Sequence, residues 1–260
     1  MRIGVQIQQQ HADYTDLREA ARRLDRMGVD VIYVWDHFFP LWGGKESKHF
    51  ECWTTLASLA EVTEHAQIGA LVSANSYRNP QLLADMARTV DHISGGRLIL
   101  GIGAGWAKID YDEYGYGFGT AGSRLRDLRR DMPVLRDRLS QLNPPPVGKM
   151  PILIGGGGER VTLRIVAEHA DIWHAFGDPE LFAHKSRVLD RWCAEIGRDA
   201  AQIERSVGLS DVEDFKTGDA YAALGVGQIT FGVSGPDYDL TYVQPWLDWR
   251  DRQNAASAEE

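Results

Sequence analysis

The chain has 260 residues, 43% of them hydrophobic and 25% charged, with a formal net charge of −9. That size suits one large domain or two small ones, with ample apolar material for a core. The acidic balance argues against a general attraction to nucleic acid or to an anionic membrane, and the longest apolar runs are too short to span a bilayer.

The first apolar run, Ile3–Ile7, follows Met1 and Arg2 directly. No charged n-region or apolar leader precedes it, so a cytoplasmic protein is expected. Asp13 and Thr15 offer caps for a first helix with Leu17, Ala20, Ala21, Leu24 and Met27 on one face. Val29–Val34 is a second strand. Thr55, Leu56, Leu59 and Val62 mark a second helix, and Ala66–Val72 a third strand. Asn79 as N-cap and Pro80 at the first helical position open a third helix, which stops at Gly95-Gly96. Arg97–Ile102 is the fourth strand, and a fourth helix spans about 123–142. Asn143-Pro144-Pro145-Pro146 stiffens a short connection to the fifth strand, Pro151–Ile154.

The alternation continues. A fifth helix carries Leu163, Val166 and Ala167, and Ala170–His174 is the sixth strand. A sixth helix starts at Gly177-Asp178-Pro179 and Ile203–Leu209 follows as a strand. A short helix over Asp219–Leu224, the strand Val226–Gly232 and a last helix over Tyr242–Ala255 complete the pattern. The strands are near-continuous apolar runs, as in a parallel sheet covered on both faces. Eight βα repeats predict an α/β fold, a single-domain (β/α)8 TIM barrel over residues 1–255, with an open doubly wound sheet as runner-up. Residues 256–260 are expected to form a disordered tail.

In a barrel, chemistry gathers just past the carboxyl ends of the strands. Those segments are rich in Gly, Asp, His, Asn, Trp and Tyr. Asp36-His37 follows the second strand: a candidate acid/base pair, since imidazole titrates near neutral pH, or a structural histidine. Neighbours at a strand end point opposite ways, so Asp36 need not orient His37. Gly155, Gly156, Gly157, Gly158 and Glu159 follow the fifth strand. Such a run either turns the strand tightly into a helix or presents N–H groups to a phosphate. Gly101-x-Gly103-x-Gly105 lacks the spacing of a dinucleotide fingerprint. The histidines show no metal-ligand spacing, there is no C-x-x-C, and no G-x-S-x-G elbow is present. No metal is therefore expected. Cys52 and Cys193 are far apart in sequence and read as two buried or half-buried thiols. Trp35, Trp42, Trp106, Tyr111, Tyr114 and Trp173 suit either core filling or a planar ligand.

The motifs themselves resemble a known family. Ser76-Tyr77-Arg78-Asn79-Pro80 with S-G-G-R-L-I-L-G-I-G-A-G-W (Ser94–Trp106), then Tyr33–Trp42, then P-I-L-I-G-G-G-G-E (Pro151–Glu159) running on to Trp173 are similar to the bacterial luciferase-like monooxygenase family. Within it, they resemble the branch of F420-dependent oxidoreductases. The resemblance covers roughly residues 1–205. It implies a TIM barrel with F420, or alternatively FMN, across the mouth. The cofactor phosphate would sit on Gly155–Glu159 and the ring near Leu71 and Val72, joined by a cis peptide. Asp36 and His37 would contact ring or substrate, and Asn75, Gly103, Ala104, Gly105 and Trp106 would line the same pocket. Arg160, Arg164, Arg78 and Lys108 would give an anionic cofactor tail a non-acidic exit. Two departures stand out: the segment before the fifth strand is short, and Trp106 occupies a place where some relatives carry a glutamate. The implied activity is hydride transfer between F420 and an unidentified small organic substrate. The alternatives are an FMN-dependent monooxygenase and a cofactor carrier without turnover; a homodimer is left open.

Overall fold

Nine strands form one parallel sheet that closes on itself, in the order β3-β2-β1-β9-β8-β7-β6-β5-β4 with a further β3–β5 pairing. The computed structural model describes residues 1–258. The strands are β1 (Arg2–Gln8), β2 (Val31–Val34), β3 (Gln67–Ala70), β4 (Ser73–Ala74), β5 (Leu98–Gly103), β6 (Ile152–Gly155), β7 (Ile172–Phe176), β8 (Glu204–Gly208) and β9 (Gln228–Ser234). β3 and β4 are two halves of one barrel strand, both paired with β5 and separated by Leu71 and Val72. The architecture is the expected TIM barrel.

The helices are α1 (Tyr14–Met27), α2 (Cys52–Val62), α3 (Pro80–Ile93), α4 (Lys108–Tyr114), α5 (Ala121–Gln141), α6 (Thr162–His169), α7 (Pro179–Ile196), α8 (Phe215–Ala223) and α9 (Val243–Ala258). Local chemistry sets their ends. Asp13 and Asp16 form a capping box on α1, and Gly28 closes it with φ 86°. The side chain of Asn79 accepts from the N–H groups of Gln81 and Leu82 ahead of Pro80, satisfying donors that a helix start leaves free. Both cysteines are free and buried. The expected tail boundary falls inside α9, which continues through 256–258; 259–260 lie outside the described residues.

Two layers of core explain where the site lies. The outer layer joins strands to helices, with Ile3, Val5, Leu24, Leu100, Ile154 and Trp173 among its members. The inner layer is small: Val31, Tyr33, Ile99, Leu153 and Ile172, with Leu71 and Val72 packed on it. Side chains alternate along a strand, so the same inner face continues two residues on. There it carries Gly101 and Gly103 on β5, Gly155 on β6 and His174 on β7. Large apolar groups plug the lower barrel, and glycines leave the upper barrel open.

Candidate active site

That opening is a cavity of about 510 Å³ at the carboxyl ends of the strands. Asp36 and His37 line it from β2, Leu71 and Val72 from the β3–β4 junction, Gly103, Ala104, Gly105 and Trp106 from β5, and Gly155, Gly156 and Gly157 from β6. A second opening of about 810 Å³ lies at the other end of the strands, among Arg2, Lys149, Asp171 and Glu204. Its polar groups already serve one another: both Arg2 and Glu204 are spent on a two-point ion pair at 2.5 and 3.0 Å.

His37 is held by a residue the sequence reading did not single out. Its Nδ1 lies 2.7 Å from Asp110 Oδ2. Asp110 is fully buried and also accepts from Tyr77 Oη at 2.8 Å and the Phe38 N–H at 3.0 Å. Although burial pushes the Asp110 carboxyl up, the hydrogen bonds from His37, Tyr77 and Phe38 prevail and hold it below its ordinary value. An ionised carboxylate only accepts, so Nδ1 of His37 is the protonated nitrogen and Nε2, on a residue that lines the cavity, is left as the acceptor. Asp110 sits on α4, which no hydrophobic period announces. The i,i+4 pair Lys108–Asp112 and Gly115 as left-handed cap are the signals it left in the sequence.

Asp36 turns away from His37. Both of its oxygens accept from the Arg78 guanidinium, one of them at 3.0 Å, and Oδ2 also takes the Ala74 N–H at 3.2 Å. Burial raises this carboxyl, against the pull of Arg78. The pair fixes the end of β2 to the turn that precedes α3, which makes Asp36 an anchor beside the cavity.

The Leu71–Val72 peptide is cis, and the Leu71 carbonyl accepts from Gln6 Nε2 at 3.0 Å. Val72 lies across the barrel opening. A methyl group on Gly103 would fall 2.8 Å from Val72 Cγ2, and one on Gly155 3.0 Å from Cγ1. Glycine at both positions is what lets Val72 lie there. Trp106 and Phe176 line the same cavity and are 65% and 67% exposed.

The glycine loop differs from the expected cradle. α6 begins at Thr162, so Glu159, Arg160 and Val161 separate the glycines from the helix. The Gly156 N–H is spent on the His174 carbonyl at 2.9 Å. Among the described residues, no protein acceptor takes the N–H of Gly157 or Gly158. A methyl group on Gly157 would fall 2.6 Å from Lys185 Nζ, and one on Gly158 2.8 Å from Thr162 Oγ1. The Lys185 ammonium and the Thr162 hydroxyl thus lie beside the two glycines whose N–H groups meet no protein acceptor. Lys185 was missed because it belongs to α7 and only packing brings it here. Glu159 points elsewhere, 3.1 Å from His184 Nε2. Asn75 also turns from the cavity, its Nδ2 donating to Asp131 at 2.8 Å. Of the four expected exit cations, Arg78 is committed to Asp36, Lys108 to Asp112 and Arg164 to Glu168.

Among the described residues, no cluster of three or more His, Cys, Asp or Glu is placed to hold a metal, and no helix is long and apolar enough to cross a membrane.

The family model for luciferase-like monooxygenases matches residues 1–212. The 4-hydroxyprotoasukamycin monooxygenase of Streptomyces nodosus subsp. asukaensis is 28% identical over 218 residues, covering 74% of this chain and 57% of that protein. The F420-dependent glucose-6-phosphate dehydrogenase of Amycolatopsis mediterranei (strain U-32) is 29% identical over 138 residues, 53% of this chain and 41% of that protein. The chain thus spans about half the length of these two relatives. Among solved structures, an F420-dependent secondary alcohol dehydrogenase in complex with an F420-acetone adduct superimposes with a TM-score of 0.81 at 14% identity, over 94% of this chain and 96% of that one.

Proposed function

The chain belongs to the luciferase-like monooxygenase family, and from that premise we propose that it is an oxidoreductase that binds the deazaflavin F420 in the cavity above the inner core and moves a hydride between it and a small organic substrate. The residues present fit such a group. Val72 and the glycine floor offer support for a ring, Trp106 and Phe176 add aromatic surface, and Lys185 and Thr162 beside Gly157 and Gly158 offer donors to an anion. When bound, the deazaflavin supplies the hydride acceptor or donor.

The observation that carries the reading is the His37–Asp110 pair. A hydride leaving an alcohol carbon must be accompanied by loss of the hydroxyl proton, and the reverse reaction returns one. His37, oriented by Asp110 through Nδ1, offers Nε2 to that proton. The Asp36–Arg78 pair keeps the β2 end in place, and Trp106 shields the imidazole with its ring 5.4 Å away. A carrier without turnover has no use for such a pair.

The second reading is an FMN-dependent monooxygenase; the name of the Streptomyces relative supports the monooxygenase part of it and names no cofactor. Both cofactors share a tricycle, a ribityl chain and a first phosphate, so the anion site suits either. F420 continues into a charged tail. Side-by-side titrations by fluorescence quenching test the choice. F420 should bind more tightly than FMN, with affinity falling as salt rises. A clear preference for FMN overturns the F420 reading.

A further inference from the structure

His174 lines the same cavity yet is only 3% exposed. Its Nδ1 lies 2.9 Å from Ser206 Oγ. Its Nε2 is buried and has no hydrogen-bond partner. Buried polar atoms in folded proteins are nearly always paired, so an orphan at a cavity wall points to a missing ligand atom.

The tautomer follows from Ser206. That side chain is fully buried, and among the described residues its hydroxyl meets no other acceptor than His174 Nδ1. The hydroxyl donates to Nδ1, which is therefore unprotonated, and the ring hydrogen resides on Nε2. Burial also pushes this imidazole down to about 3, so the ring stays neutral. The result is a fixed, uncharged N–H donor one strand away from Gly155, which pairs with His174 in the β6–β7 register.

We propose that His174 is a cofactor-positioning residue whose Nε2–H donates to an acceptor oxygen of the bound tricyclic cofactor, either a ring carbonyl or a ribityl hydroxyl. This rests on the cofactor site proposed above. A neutral donor suits it: the contact sets position without adding charge beside the ring.

The test compares cofactor affinity and apoprotein melting for His174→Phe, His174→Leu and His174→Gln, with F420 and FMN as probes. The two apolar variants should weaken binding roughly tenfold or more, the usual effect of removing one buried donor. His174→Gln retains an N–H and should keep most of the affinity. Apoprotein melting should move by less than about 3 °C in each, since one unpaired group merely replaces another. Lumiflavin or its 5-deaza counterpart, which lacks the ribityl chain, separates the acceptors: a penalty that persists places the contact on the ring, and one that vanishes places it on the ribityl chain. Unchanged affinity in a folded apolar variant overturns the role of His174, while leaving the cofactor site intact. Failure of the wild-type protein to bind either cofactor overturns that site, and this inference with it.

Discussion

The imidazole of His37 and the carboxylate of Asp110 meet at 2.7 Å although one follows β2 and the other sits on α4. Asp110 spends its other contacts on Tyr77 and Phe38, so three donors fix the carboxylate and the carboxylate fixes the ring. The orientation of His37 is therefore set by a carboxylate that is itself fully buried.

His37→Ala should lower hydride transfer by about 10²–10⁴-fold with the cofactor still bound. Asp110→Asn removes the charge that selects the tautomer and should cost about 10–100-fold, with cofactor affinity unchanged. Single-turnover absorbance of F420 against a panel of alcohols and carbonyl compounds measures both. Full activity in His37→Ala would return this histidine to a structural role.

Lys185→Ala should weaken binding of F420 and of FMN roughly tenfold and flatten its salt dependence, since one ionic contact to a phosphate is lost. Riboflavin, which has no phosphate, should bind both proteins alike. Gly157→Val should act in the same direction, because its side chain would displace the ammonium. An equal effect on riboflavin would show that Lys185 does not face the phosphate.

Arg78→Met leaves the Asp36 carboxylate buried without its partner, and should lower stability by about 3–5 kcal/mol. The double variant Arg78→Met, Asp36→Leu removes the stranded charge and should recover most of that loss. Urea unfolding of the three proteins decides, and a mild effect of the single variant would mean that water reaches Asp36.

Acidification should destabilise the protein in two windows. Burial lowers His49 to about 4 and His174 to about 3, and the Trp35 indole, donating to His49 Nε2 at 3.2 Å, adds to the preference for its neutral form. Below about pH 6.5 the unfolded histidines take up protons that the folded ones refuse, so stability falls as pH drops, by on the order of 1–2 kcal/mol per histidine at pH 5. His174→Phe should remove its share of that slope. Asp25 and Asp110, both held below their ordinary values, lose their contribution only at lower pH, as their folded forms protonate. Melting temperatures between pH 8 and 5 provide the check; a flat profile would refute the assignment to buried neutral histidines.

The barrel was legible because its signals are local. Asn79-Pro80 starts α3 where the sequence says it should, and the apolar runs match the strands to within a few residues. The mouth was legible as a set of segments, since strand ends follow from strands. Individual roles were harder. α4 is too short and too polar to show a period, so Asp110 passed unseen. Lys185 meets Gly157 only through the packing of α7. Asn75 and Glu159 sit in the right segments, but side-chain direction, which segment position does not encode, takes them to Asp131 and His184.

The first and last strands are neighbours: β1 pairs with β9 along its whole length, from Arg2 beside Gln228 to Gln8 beside Ser234. During synthesis, β1 must wait for almost all of the remaining chain before that edge is covered. Until β9 arrives, both β1 and β8 present open backbone to any passing strand. The open edge of β1 therefore persists until the last strand of the sheet has been made, and closing the barrel and covering that edge are one and the same event.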